Sequence, residues 1–182
     1  MRLDREFYSQ DTIQVAKQLL GKTLVRKIGN TTISGIITET EAYRQSDDPA
    51  SHAYRGITPR NRAMFEDVGC AYVYFTYGMY HCVNVVARNQ KYSAGAVLIR
   101  ALLPKTGIRT MMKNRKTDKI NNLTSGPGKL TIALDITKKQ YGEDLVSSKS
   151  LYITEGIPVS KIIASPRIGI RVGLDKKWNY RI

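Results

Sequence analysis

A chain of 182 residues with 42% hydrophobic residues, 14 glycines and six prolines has the apolar content for one folded domain over residues 1–182, and no repeat or low-complexity run marks it as fibrous or disordered. Its 29 Lys and Arg against 15 Asp and Glu leave a formal charge of +14, which attracts polyanions, nucleic acid first, though a basic solubility face or attraction to anionic lipid fits charge alone. No stretch approaches the roughly 18 apolar residues of a membrane span, the start "MRLDREFYSQD" has no apolar signal segment, and Cys70 and Cys82 show neither CxxC spacing nor paired histidines, so a cytoplasmic chain with reduced, packed thiols and no metal site is expected.

In chain order, Asp11 is placed to cap a helix with Ile13, Val15, Ala16, Leu19 and Leu20 on one side and Gly21 as its stop. "TLVRKI", the turn Gly29-Asn30 and "TTISGIITETEAY" read as a hairpin. Strand alternation puts Ile33, Gly35, Ile37, Glu39 and Glu41 on one face. The two carboxylates are then either partly buried and partnered, or wet because the strand emerges into solvent after Ile37. Asp47, Asp48 and His52 follow closely, and the two aspartates are expected to shape and cap the loop leading to the histidine.

"AYVYFTY" and "YHCVNVVA" are two more strands joined around Gly78-Met79. Tyr72 reads as core or a cross-strand partner, but the tip Tyr77-Gly78-Met79-Tyr80 is bulky and apolar on a basic protein, like wedges that enter a minor groove and unstack a base step. Tyrosines behind such a tip can sandwich an extruded base. "AGAVLIRALLP" is the next strand, and its Arg100, alone in an apolar run, needs an acidic partner that Glu39 or Glu41 supplies. "KTGIRTMMKNRK" spaces Lys105, Arg109, Lys113 and Lys116 as one helical basic stripe. "GPGKL" opens a helix over 129–134, and "SLYITEG" and "RIGIRVG" read as late strands. The sum is an α+β fold with mostly antiparallel pairing.

The segments "ETEAY", His52, "TPRNRAMF", "YVYFTYGMYHCVN", "LIRALLP", "SGPGKL" and "SPRIGI", in this order from about Asp11 to Leu174, resemble the alkyladenine (3-methylpurine) DNA glycosylases. The chain starts almost at its first helix and so resembles a compact bacterial form. The resemblance implies a single domain on a curved, mostly antiparallel, open-barrel-like sheet with flanking helices and a protruding hairpin. It implies a monomer acting on double-stranded DNA that contains damaged purines, nucleoid-associated in the cytoplasm, with no metal or organic cofactor. The implied reaction is monofunctional: an alkylated or deaminated purine is flipped out and its N-glycosidic bond hydrolysed. By resemblance Glu41 is the general base, Arg100 lies beside the attacking water, and Tyr43, Ala50, His52, Tyr74 and Asn84 form the base pocket, with Asn84 crowding the 2-amino group of guanine. Tyr77, with Met79, fills the vacated space in the duplex. His81 stands where relatives often carry an apolar aromatic. Three rival readings remain: a non-catalytic nucleic-acid binding module, which leaves Glu41 and Arg100 without a role; a metal-dependent nuclease using Glu39, Glu41, Asp47, Asp48 and His52; and a protein-interaction domain, which predicts little salt dependence of DNA binding.

Overall fold

The structure, a computed structural model, describes residues 1–182. A one-turn helix α1 (Arg5–Tyr8) precedes α2 (Thr12–Gln18), whose cap is the expected one: the Asp11 carboxylate accepts from the Ile13 amide at 2.9 Å. The hairpin β1 (Thr23–Ile28) and β2 (Thr31–Arg44) follows, then β3 (Ala71–Thr76), β4 (Tyr80–Val86) and β5 (Gly95–Thr106). Helices α3 (Ile108–Arg115) and α4 (Pro127–Ala133) lead to three short strands, β6 (Leu151–Thr154), β7 (Ile163–Ser165) and β8 (Asn179–Arg181). All ladders are antiparallel and run β3-β4-β5-β2-β1-β6 in one curled, half-barrel sheet.

β2 organises this sheet because it is long enough to serve three partners. One edge pairs with β5 along most of its length; the other pairs with β1 up to Ile36 and with β8 from Glu39 to Glu41. The main core lies between the sheet and the helices: Ile33, Ile37 and Ala42 of β2 and Val97 and Ile99 of β5 meet Val15 and Ala16 of α2, Met111 of α3 and Leu130 of α4. A smaller cluster, built on Tyr72, Met64, Ala53 and Ala96, backs the opposite face of the sheet. The close approach of α4 explains its glycine, because a Cβ on Gly128 would sit 2.6 Å from the Tyr80 ring.

Three sequence expectations change. Alternation along β2 is broken between Ile37 and Thr40: Ile37 faces Leu102, Glu39 faces Ala101 and Thr40 faces Ile99, so Thr38 on β2 and Arg100 on β5 each lack an opposite residue. Such bulges re-aim side chains. Ile33 and Ile37 go into the core with Thr40 and Ala42, while Glu39 and Glu41 turn to the other face. The basic stripe is also shorter than its spacing suggests, since α3 covers only residues 108–115. Lys105 belongs to β5, Lys116 ends the helix in a left-handed conformation, and Arg109 and Lys113 alone lie within it. Finally, "SLYITEG" does form a strand, β6, but "RIGIRVG" is irregular, because its polar groups bind carboxylates in place of a ladder partner, and the strands on either side of it are β7 and β8.

Candidate active site

The face of the sheet turned away from the main core carries the site, and strand parity populates it: Tyr72 and Tyr74 of β3, Cys82 and Asn84 of β4, Leu98 and Arg100 of β5, each flanked by core residues such as Val73, Val83 and Ile99. With the loop after β2 and the segment after β7 they enclose a pocket of about 340 Å³, at the small end of the roughly 300–1,000 Å³ typical of small-molecule sites. Tyr43, Ala50, His52, Tyr74, Tyr77, Asn84 and Arg100, seven of the residues singled out from sequence, line it.

Glu41 does not line the pocket; its side chain is 0% exposed behind the wall. Four donors hold its carboxylate. Oε1 accepts from the Ile168 amide at 2.7 Å and from Asn179 Nδ2 at 3.0 Å. Oε2 accepts from the Tyr43 hydroxyl at 2.8 Å and from Arg100 Nη1 at 3.3 Å. Arg100 turns its Nε to Glu39 at 3.1 Å, and Asn179 also donates to Glu39 at 2.7 Å. The wet alternative for the two glutamates is therefore wrong, and the arginine in the apolar run serves both. Burial opposes the Arg100 charge, but the charges of Glu41 and then Glu39 outweigh it and raise the guanidinium above its ordinary pKa. Burial, followed by the Glu41 charge, also raises the Tyr43 phenol, so it stays protonated and donates.

Aromatic rings form the opposite wall. His52 packs edge-on against Tyr74, centroids 4.7 Å apart, and its Nδ1 lies 2.8 Å from the Tyr72 hydroxyl. Its outer edge is exposed, yet burial of the ring, and then the charge of Arg60, lower its pKa below the ordinary imidazole value. The Arg60 guanidinium lies 5.1 Å over the Tyr74 ring and that of Arg167 4.6 Å over the Tyr43 ring. Asn84 is nearly buried and donates Nδ2 to the Tyr72 carbonyl at 2.9 Å, which fixes its amide in the pocket floor.

The segment after β7 is tied down by a buried ion pair. Arg167 grips Asp48 with two hydrogen bonds of 2.6 and 2.7 Å and donates to the Ala42 carbonyl at 2.9 Å. Asp48 also accepts from the amides of Arg44 and Ala50 at 3.2 Å, so it does shape the loop before His52, while Asp47 binds the Arg44 side chain. The acids are thus distributed over arginine and amide partners, and no group of three His, Cys, Asp or Glu side chains converges to hold a metal ion.

The β3–β4 hairpin closes through three residues between the paired Thr76 and Tyr80, of which Tyr77 and Gly78 form a tight turn with φ of 52° and 64° and the Met79 amide bonded to the Thr76 carbonyl at 3.1 Å. Such turns favour Asn-Gly. A tyrosine with positive φ is strained by on the order of 1 kcal/mol, and here it is 76% exposed at the rim of the pocket. Met79 is also exposed but points elsewhere, lining a groove with His81 and Asn114.

Sequence reasoning missed three participants. The Ile168 amide carries no side-chain signal at all, and Asn179 sits in a three-residue strand too short to recognise. Arg167 lies within "SPRIGI", but its partner Asp48 is 119 residues away, so nothing local marks the pair.

A curled antiparallel sheet thus sets a buried carboxylate and an arginine behind an aromatic pocket on a strongly basic chain, the makings of an enzyme's active site. The model of the methylpurine-DNA glycosylase family matches residues 6–182. A relative from Carboxydothermus hydrogenoformans is 49% identical over 182 residues, covering 99% of this chain and 94% of its own. One from Prosthecochloris aestuarii is 48% identical, covering 97% and 86%, and one from Methanocella arvoryzae is 48% identical, covering 92% and 84%. All three carry the provisional name 3-methyladenine DNA glycosylase. The chain belongs to the methylpurine-DNA glycosylase family, hydrolases of N-glycosyl bonds in DNA. No helix is long and apolar enough to cross a membrane.

Proposed function

We propose that the protein is a monofunctional glycosylase that takes an alkylated or deaminated purine out of duplex DNA into the pocket and hydrolyses its glycosidic bond with water activated by Glu41. The observation that carries this reading is the Glu41 carboxylate, fully buried yet joined through Tyr43 and Arg100 to the pocket wall. The Arg100 contact, at 3.3 Å, lies beyond the usual 2.7–3.2 Å range for N–H···O bonds, so it is the one that opens to admit water beside Oε2.

In the reaction the bond from the purine nitrogen to C1′ breaks with its electron pair going to the base. A C1′–O bond forms to water, and Glu41 takes the water's proton. Positive charge developing on the sugar is met by the carboxylate. A base methylated at N3 or N7 is cationic and leaves neutral. A neutral base such as hypoxanthine needs a proton, and His52, held neutral by its lowered pKa, acts as a hydrogen-bonding contact to the base and not as that acid. Tyr43 and Tyr74 stack on the base, Ala50 and Asn84 shape its enclosure, and Tyr77 occupies the space it leaves.

Duplexes bearing 3-methyladenine, 7-methylguanine, hypoxanthine or ethenoadenine, incubated with the protein and assayed for free base and abasic sites, test this. Base release without strand cleavage and unaffected by chelator is expected. Tight, salt-sensitive binding with no base released from any of the four makes the protein a binding module instead.

A further inference from the structure

Resting on the Glu41 chemistry above, we propose that Glu39 is a positioning residue for the reaction: it anchors the Nε edge of Arg100 and divides that charge between two carboxylates, leaving Glu41 free to take a proton. The distances carry the argument. Arg100 is bound more closely to Glu39, at 3.1 Å, than to Glu41, at 3.3 Å. Asn179 spends both hydrogens of its amide on the same two carboxylates, at 2.7 Å to Glu39 and 3.0 Å to Glu41, so neither glutamate can move without disturbing the other. The bulges that leave Thr38 and Arg100 unopposed bring Glu39 and the guanidinium together, and the Glu39 side chain keeps 23% of its surface in solvent.

A base paired tightly to an arginine is a weak base, because the neighbouring cation favours its ionised form. Glu39 counters this twice: it draws the guanidinium away from Oε2 and adds a like charge beside Glu41. The other groups facing Glu41 are Tyr43 on its own strand, Arg100 from β5, Cys82 from β4 and Arg167 from the segment after β7; Asn179 of β8 is neutral. Glu39 supplies the charge that offsets Arg100, since Arg167 is already paired with Asp48 and Tyr43 is protonated. Without it, Arg100 closes on Glu41 and occupies the oxygen that must receive water.

The test is the pH dependence of single-turnover excision from a hypoxanthine duplex by the wild type, Glu39→Gln and Glu39→Asp, with lesion binding and thermal stability measured alongside. Glu39→Gln is expected to move the acidic limb down by about one pH unit and lower the plateau rate several-fold with binding unchanged, whereas Glu39→Asp keeps the limb near wild type. A limb that stays in place in Glu39→Gln, or moves equally in Glu39→Asp, overturns the proposal whatever happens to stability. Should the wild type release no base, the proposed function fails on its own. The charge-sharing is then read from the ¹³C NMR titration of the Glu41 carboxyl in the same proteins, where an unmoved midpoint in Glu39→Gln overturns it.

Discussion

Arg167 and Asp48 face each other through two parallel hydrogen bonds of 2.6 and 2.7 Å with neither side chain exposed, joining the loop after β2 to the segment after β7. The pair closes the pocket wall like a clasp, since Pro49 and Ala50 on one side and Ile168 and Gly169 on the other all line the cavity. Removing one partner strands a buried charge, which costs roughly 3–5 kcal/mol. Arg167→Ala and Asp48→Ala are each expected to destabilise by that order in urea unfolding, while Arg167→Met combined with Asp48→Leu costs less than either single change. Equal loss in the double variant and the singles would show that the pair's value lies in its loops and not in its charges.

Glu41→Gln is expected to lower single-turnover excision by roughly 10²–10⁴-fold while leaving lesion binding within a few-fold of wild type. The amide oxygen keeps the Ile168 and Asn179 donors and the Tyr43 hydroxyl can turn to accept from the new amide, while Arg100 Nη1 loses its acceptor and the guanidinium stays on Glu39. Excision near the wild-type rate removes Glu41 from the chemistry.

Asn84→Ser opens space in the pocket floor and is expected to raise excision of guanine or guanine lesions relative to hypoxanthine, which differs from guanine by lacking the 2-amino group. It also leaves the Tyr72 carbonyl without its side-chain donor, at a cost of about 1 kcal/mol. Competition between paired substrates decides the matter, and an unchanged preference counts against Asn84 as the discriminating residue.

Tyr77→Asn is expected to gain stability and lose activity together. Asparagine suits the left-handed backbone that strains the tyrosine, a gain on the order of 1 kcal/mol. It is too small to fill the gap left by an extruded base, so ethenoadenine fluorescence should report less flipped base and duplex excision should slow. The defect should shrink where the lesion is already poorly paired. Unchanged flipping and excision would return Tyr77 to the hairpin's own packing against Tyr80.

The His52 imidazole should titrate below its ordinary value of about 6.5 because burial and Arg60 disfavour its charged form. A depressed pKa in the folded state means that the unfolded chain binds the proton more readily. Its stabilising contribution is therefore complete above the ordinary value and is lost as pH falls toward the lowered one. Imidazole NMR gives the midpoint, and the stability difference between wild type and His52→Asn should narrow from pH 8 to pH 5. A midpoint at or above the ordinary value rules out the desolvated ring.

Local signals in the sequence were sufficient for α2 with its Asp11 cap, the β1–β2 and β3–β4 hairpins, and the partnership of Arg100 with acids on β2. Tyr74, Asn84 and Arg100 were assigned to one site by resemblance alone, and parity along β3, β4 and β5 is the physical reason they share one surface. The bulge that swings Glu39 and Glu41 off the core face was hidden, because it arises from how β2 and β5 fit each other and from no residue's own preference. Likewise "RIGIRVG" has the apolar alternation of a strand, but its backbone and arginine are claimed by Glu41 and Asp48, more than a hundred residues away. Long-range polar capture of this kind leaves no periodicity to read.

The pairing of Glu41 with Asn179 carries a consequence for the birth of the protein. Both carboxylates depend on an amide carried by β8, the last strand, and β8 also completes the second edge of β2. Synthesis proceeds from the N-terminus and early segments fold first, so pocket residues from Tyr43 to Arg100 emerge and pair while Glu39 and Glu41 still lack Asn179. A nascent chain can therefore form the aromatic wall of the pocket while Glu39 and Glu41 still lack their amide donor, which arrives only after residue 179 has cleared the ribosome.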